Sequence, residues 1–130
     1  MVAKEFSVKS GERTEFIDIT AQIRNFVKKN DINDGKITVF VPHTTAAVTI
    51  NENADPNVRH DLKIALDEIA SPLPNFTHME GNSDAHFRSS IFGCSEIIIV
   101  KNGKLLLGTW QGVYFCEFDG PRKRRFVLSA

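Results

Sequence analysis

The stretch CSEIIIVKNGKLLLGTW, residues 94–110, constrains the fold more than any other part of the chain. Two apolar runs, the first rich in isoleucine and the second in leucine, flank Asn102-Gly103. These two residues accept positive φ more readily than most, and a two-residue type I′ turn requires that at both of its central positions. The pattern predicts two strands paired antiparallel. VYFCEFD (113–119) and RRFVLSA (124–130) read as two further strands, with Asp119-Gly120-Pro121 as the turn between them.

Upstream, KITVFV alternates, with Ile37, Val39 and Val41 on one side until Pro42 ends the strand, and AAVTI (46–50) resumes extended structure. Phe6 and Val8, then Phe16, Ile17 and Ile19, lie on either side of Gly11 and predict an N-terminal hairpin. Thr20 reads as the cap of a helix with Ile23, Phe26 and Val27 on one face, stopping near Asn30. Asp55-Pro56 starts a second helix, because an N-cap oxygen is followed by a residue whose missing N–H costs nothing at the first helical position. Its stripe is Val58, Leu62, Ala65, Leu66 and Ile69, and Ser71-Pro72 closes it. Ser83 starts a third helix that runs to Phe92 and stops at Gly93. Strands, helix, strands, helices, then strands describe an α+β fold: one compact domain over 1–130, a mostly antiparallel sheet and two to three helices.

Sixteen Lys plus Arg balance sixteen Asp plus Glu in 130 residues, so net charge makes no case for a nucleic-acid or anionic-membrane partner. No apolar run approaches the roughly 20 residues of a membrane span. MVAKEFSVKS is not a signal peptide, and two cysteines do not make a disulfide framework. Cys94 and Cys116, beside apolar runs, are expected as buried reduced thiols in a cytoplasmic protein.

All four histidines sit at element boundaries or on an outward helix face. His43 follows Pro42, His60 lies opposite the second helix's stripe with Ile64 and Asp67, and His78 and His86 bracket HMEGNSDAH. Glu52, Asp55, Asp61, Glu80 and Asp84 are near them in sequence. Histidine with carboxylate suits zinc-like ions as well as proton transfer near neutral pH. No HExxH or CxxC pattern is present. Asp84 also suits the positive end of the third helix on local grounds alone. In PRKRR (121–125), read as a strand, Arg122 and Arg124 share one face, either to hold an anionic group or to guard a sheet edge. Trp110-Gln111, beside two glycines, is core or pocket wall.

Taken together and in order, HTTAAV (43–48), NENxD (51–55), RHDL (59–62), HxEGNxDAH (78–86), LGTWQ (107–111) and EFDGPR (117–122) resemble the YjbQ family over nearly the full length. The resemblance implies a compact α+β domain, a homotrimer, and a pocket near a subunit boundary that takes a small, phosphorylated substrate. It implies thiamine-phosphate synthase activity, joining hydroxymethylpyrimidine diphosphate to a thiazole phosphate. On this reading His60, Asp84 and Glu52 are catalytic. Thr44, Thr45, Asn82, Trp110, Gln111 and Arg122 bind substrate, with Arg88 and Arg124 as further cations. His43, His78 and His86 would hold a divalent metal, zinc or magnesium. A metal-dependent hydrolase and a non-catalytic metabolite-binding trimer are the alternatives.

Overall fold

The structure is a computed structural model in which residues 2–130 are described. The chain runs β1 (Ala3–Lys9), β2 (Glu15–Asp18), α1 (Thr20–Lys29), β3 (Gly35–Phe40), β4 (Ala46–Glu52), α2 (Pro56–Ile69), α3 (Ser83–Phe92), β5 (Ser95–Lys101), β6 (Lys104–Leu105), β7 (Gln111–Glu117) and β8 (Lys123–Ser129). Two antiparallel sheets form, ordered β1-β8-β3-β5-β6 and β2-β7-β4. The α+β class holds, with two sheets in place of one.

Asn102 (φ 52°) and Gly103 (φ 74°) make the expected turn, although β6 is only two residues long before the chain leaves the sheet. The N-terminal hairpin expectation fails. β1 pairs with β8 and β2 with β7, so the segment around Gly11 crosses between sheets instead of closing a hairpin. β7 and β8 are the two expected strands with Asp119-Gly120-Pro121 as the bend between them, and they belong to different sheets. Local alternation marks strands but carries no information on which sheet they join.

Burial explains the composition of β7. Ala46, Val48, Val113 and Phe115 face a core shared with Ile37, Val39, Ile98, Val100, Phe126 and Leu128 of the larger sheet and with Ile23, Phe26 and Val27 of α1. The opposite face of the small sheet, including Ala47, Tyr114 and Cys116, packs on Leu66 of α2 and Ala85 of α3. A strand covered on both faces reads as a continuous apolar run. The larger sheet keeps clean alternation, with Ile97 and Ile99 outward and exposed.

The start of α1 shifts by one residue. The Asp18 carboxylate accepts from the N–H and hydroxyl of Thr20, so Asp18 caps α1 from outside it while Thr20 is its first residue. Asp55 caps α2 as expected, accepting from Asn57 N–H at 2.9 Å. The α2 stripe, however, is only partly covered: Leu66 is buried, but Ile69 is 70% exposed. What holds α2 is Arg88 of α3, whose Nε donates to Ala70 O at 3.0 Å and whose Nη2 reaches Leu66 O and Asp67. A cation on the last carbonyls also matches the helix dipole. Residues 71–81, between α2 and α3, are exposed throughout.

Two glycines have close neighbours that predict unequal effects. A Cβ on Gly120 would lie 2.2 Å from the Glu12 carbonyl, and on Gly112 2.3 Å from the Asn53 side-chain amide. The Glu12 carbonyl is backbone and cannot swing away; the Asn53 amide can rotate, but its Cβ, 2.8 Å off, moves only with its own backbone. Gly120→Ala is expected to destabilise by about 1–3 kcal/mol, and Gly112→Ala by somewhat less. Urea denaturation of both variants checks the order.

Candidate functional site

A cavity of about 570 Å³ opens where the β3–β4 connection, the start of α3 and the start of β8 meet. His43, Thr44 and Thr45 form one wall, His78, Glu80, Asn82 and His86 a second, and Arg122, Arg124 and Cys94 complete it. The cavity therefore gathers the three metal-designated histidines with four of the expected substrate contacts, Thr44, Thr45, Asn82 and Arg122.

The floor is a buried ion pair. Glu117, fully buried at the end of β7, accepts from Arg124 Nε at 2.9 Å and Nη2 at 2.5 Å, from Ser10 Oγ at 2.6 Å and from Asp119 N–H at 3.0 Å. Arg124 Nη2 also donates to Thr45 Oγ1 at 2.8 Å. Burial alone pushes the Glu117 carboxyl up, but the hydrogen bonds from Arg124, Ser10 and Asp119 outweigh it and hold the group below its usual range. Arg124 lines the cavity, and its Nη1 has no acceptor among the described residues. Arg122, half-exposed beside it, is oriented by Asp119, which accepts at 2.8 Å from Nη2 and at 2.9 Å from Asn82 Nδ2.

His43 is fixed in one chemical state. Its Nε2 accepts the backbone N–H of Arg125 at 3.1 Å, and its ring stands edge-on to Phe115. Burial, then the charge of Arg124, holds the imidazole below its usual range. A neutral ring that accepts at Nε2 carries its proton at Nδ1. His43 is thus a donor toward a ligand. Binding a metal through Nδ1 would move the proton to Nε2, where it would meet the Arg125 N–H. Among the described residues no trio of His, Cys, Asp or Glu side chains is arranged to hold a metal. Neither observation supports the three-histidine metal set. His78 and His86 do meet, edge to face with ring centroids 5.3 Å apart.

The designated catalytic carboxylates and His60 are elsewhere. Asp84, 1% exposed, is clamped by Arg13 at 3.0 and 3.2 Å. Burial pushes its carboxyl up, and Arg13 more than offsets this, leaving it below the usual range. It anchors α3 to the β1–β2 connection. His60 is exposed, bonded to Asp61 at 3.0 Å, and borders a separate surface groove with Arg59, Lys63 and Asp67. Glu52 pairs with Gln111 at the far end of β4, about 20 Å of strand from Ala46. Trp110 is exposed beside it, and Asn53 N–H donates to its carbonyl at 2.9 Å. Arg88 is buried in the α2–α3 contact, away from the cavity. Cys116 is buried as expected, but Cys94 is exposed, and both thiols are free.

Glu117 and Asp119 fall inside the EFDGPR motif, yet the motif alone gives them no role. The available signal is a carboxylate inside the apolar run VYFCEF, seven residues before an arginine, because a buried charge needs a partner. Asn82 Oδ1 is buried without a hydrogen-bond partner. Asn82 stands at the N-cap of α3 but spends its amide on Asp119 and does not cap the helix.

The fold and site define a small α+β protein with a donor-lined cavity. The comparisons identify it further: the family model for UPF0047 protein YjbQ-like matches residues 4–130, and the chain belongs to that family. It is 52% identical to a UPF0047 protein of Methanocaldococcus jannaschii, over 96% of this chain and 91% of that one. It is 49% identical to UPF0047 protein YugU of Bacillus subtilis, over 97% and 96%. A crystal structure of a YjbQ/UPF0047 family protein from Clostridium acetobutylicum superposes with TM-score 0.94 at 48% identity, covering 97% of this chain and 98% of that one. A hypothetical protein from Aeropyrum pernix K1 gives 0.93 at 37%, covering 99% and 97%. No helix among the described residues is long and apolar enough to cross a membrane.

The cavity floor and wall each carry a measurable consequence. Glu117→Ala leaves Arg124 buried and unpaired, and loses about 3–5 kcal/mol of stability. Chemical denaturation at neutral pH checks this; a loss under about 1 kcal/mol would mean water reaches the arginine. His43 prefers its neutral form when folded. Its stabilisation is therefore full above the unfolded value of 6.5 and is lost as pH falls through the lower folded value. NMR titration should find His43 protonating below 6.5, and His43→Gln should flatten the stability–pH curve in that window.

Proposed function

We propose that this cavity binds a small phosphorylated metabolite and that the protein is a cytoplasmic enzyme acting on it, with thiamine-phosphate synthesis as the specific reaction. The observation that carries the reading is the convergence of three fixed donors. His43, Arg124 and Arg122 line one cavity, each held by a partner and each with a nitrogen, Nδ1 of His43 and Nη1 of both arginines, that has no acceptor among the described residues. Preorganised donors of this kind stabilise charge that develops on a leaving oxygen.

In the proposed reaction the thiazole nitrogen attacks the methylene carbon of hydroxymethylpyrimidine diphosphate. The C–N bond forms as the C–O bond breaks, and its electron pair leaves with pyrophosphate. His43, Arg122 and Arg124 would take up the growing negative charge. His78 and His86, facing each other at the opposite wall, would bind the second substrate's phosphate or adjust its protonation. No step is assigned to a metal, because the histidines do not fit one.

The cavity would be closed by a second copy of the chain in a homotrimer. Phe87 and Ile91, one turn apart on α3, and Met79 beside the cavity wall are exposed apolar side chains without cover, as expected of an association surface.

Purified protein given both substrates and magnesium should form thiamine phosphate and pyrophosphate, with a mass in solution three times that of the chain. His86→Ala and Arg122→Ala should each lower the rate by about tenfold or more. Equal rates in wild type and both variants would overturn the enzymatic reading. Saturable binding without turnover would leave a metabolite-binding protein.

A further inference from the structure

A second cavity, also about 570 Å³, lies between the C-terminal half of α1, the α1–β3 connection and the β5–β6 turn. It is separate from the His43 cavity. Cys94, which lines the first, precedes β5, while the second lies past its other end, about 20 Å of strand away.

This cavity is built rather than incidental. Gly103 N–H donates to Asn33 O at 2.9 Å and Asn102 N–H to Asp34 Oδ1 at 3.2 Å, so the hairpin tip is pinned to the loop that follows α1. Ile32 N–H closes back on Val27 O at 3.1 Å. Val27, Ile32 and Leu105 supply an apolar lining that merges with the main core.

Around this lining stand Arg24, Lys28 and Lys104, against one acid, Asp31. None of the three cations makes a salt bridge or side-chain hydrogen bond among the described residues. Arg24 is the exception among the seven arginines. Arg13, Arg88, Arg122, Arg124 and Arg125 each hold a carboxylate, and Arg59 lies over the Tyr114 ring. Lys28 in the last turn of α1 is accounted for by the helix dipole. Arg24, one turn earlier, and Lys104, on another element, are not.

We propose that this cavity is a binding site for a small amphipathic organic anion: one carboxylate or comparable head group on an apolar body. The head group sits among Arg24, Lys28 and Lys104, and the body lies on Val27, Ile32 and Leu105. The size is within the range of small-molecule sites, and the combination of apolar lining with a few convergent charges is what such sites present. A purely inorganic anion would use only half of it.

The probe is octanoate, followed by amide chemical shifts in the full chain, with inorganic phosphate as the comparison. Octanoate should shift residues 24–33 and 103–105 in a saturable manner, and phosphate should bind there about tenfold more weakly or less. The double variant Lys28→Glu/Lys104→Glu should weaken octanoate by about tenfold. Leu105→Asp should weaken it through the apolar half, while His86→Ala, in the other cavity, should leave it unchanged. All three cations and Leu105 are on the surface or partly exposed, so folding of the variants can be confirmed by their spectra. Shifts centred on His43 and His86, equal binding of phosphate, or unchanged affinity in the charge-reversed protein would each overturn the assignment.

Discussion

The Glu117–Arg124 pair is the interaction on which the rest of the molecule depends. Glu117 ends β7 in the small sheet, and Arg124 begins the buried part of β8 in the large one. The pair closes the bend that carries the chain from one sheet to the other, and Ser10 and Thr45 bring the ends of β1 and β4 to the same point. Two charges taken from water lose several kcal/mol of hydration each, and excellent geometry with extra hydrogen bonds is required to offset this. Both groups have them. A hydrophobic pair of similar volume could close the same bend, but it could not present a guanidinium edge to a cavity.

That pairing explains why the site forms where it does. Donors in water adapt to any ligand and stabilise none in particular. Here each donor has its other valences occupied: Arg124 by Glu117 and Thr45, Arg122 by Asp119, His43 by a backbone N–H. Their remaining hydrogens are directed without reorganisation. The same occupancy commits Nε2 of His43 to the backbone and leaves Nδ1 as its free ring nitrogen.

Much of the fold was legible because its causes are local. Asn102-Gly103 makes its turn through backbone freedom, Asp55-Pro56 through capping, and Ile37–Val39–Val41 through strand period. The pairing of strands was not legible, since β1 and β8 are adjacent by virtue of contacts over a hundred residues apart. The site divided in the same way. His43, Thr45, Asn82, His78, His86 and Arg122 converge, although they come from three separate stretches, and the family motifs marked them together. His60, Glu52, Trp110 and Gln111 carried equally distinctive motifs, yet none of them reaches the cavity. Asp84 stands in the right stretch, but its burial against Arg13 makes it a fastening for α3 and leaves it no proton to move.

The cavity's two walls differ mechanically. His43, Thr45 and Arg124 stand on the packed junction of the two sheets, whereas His78 and Glu80 ride on residues 71–81, a span with no buried residue. A segment that contributes nothing to the core can change sequence at little cost in folding free energy. A change at Glu117 or Arg124 therefore costs the fold as well as the cavity floor. His78 and Glu80 owe nothing to the core, so on the proposed reading the HxEGN motif they belong to is kept by its use in the cavity.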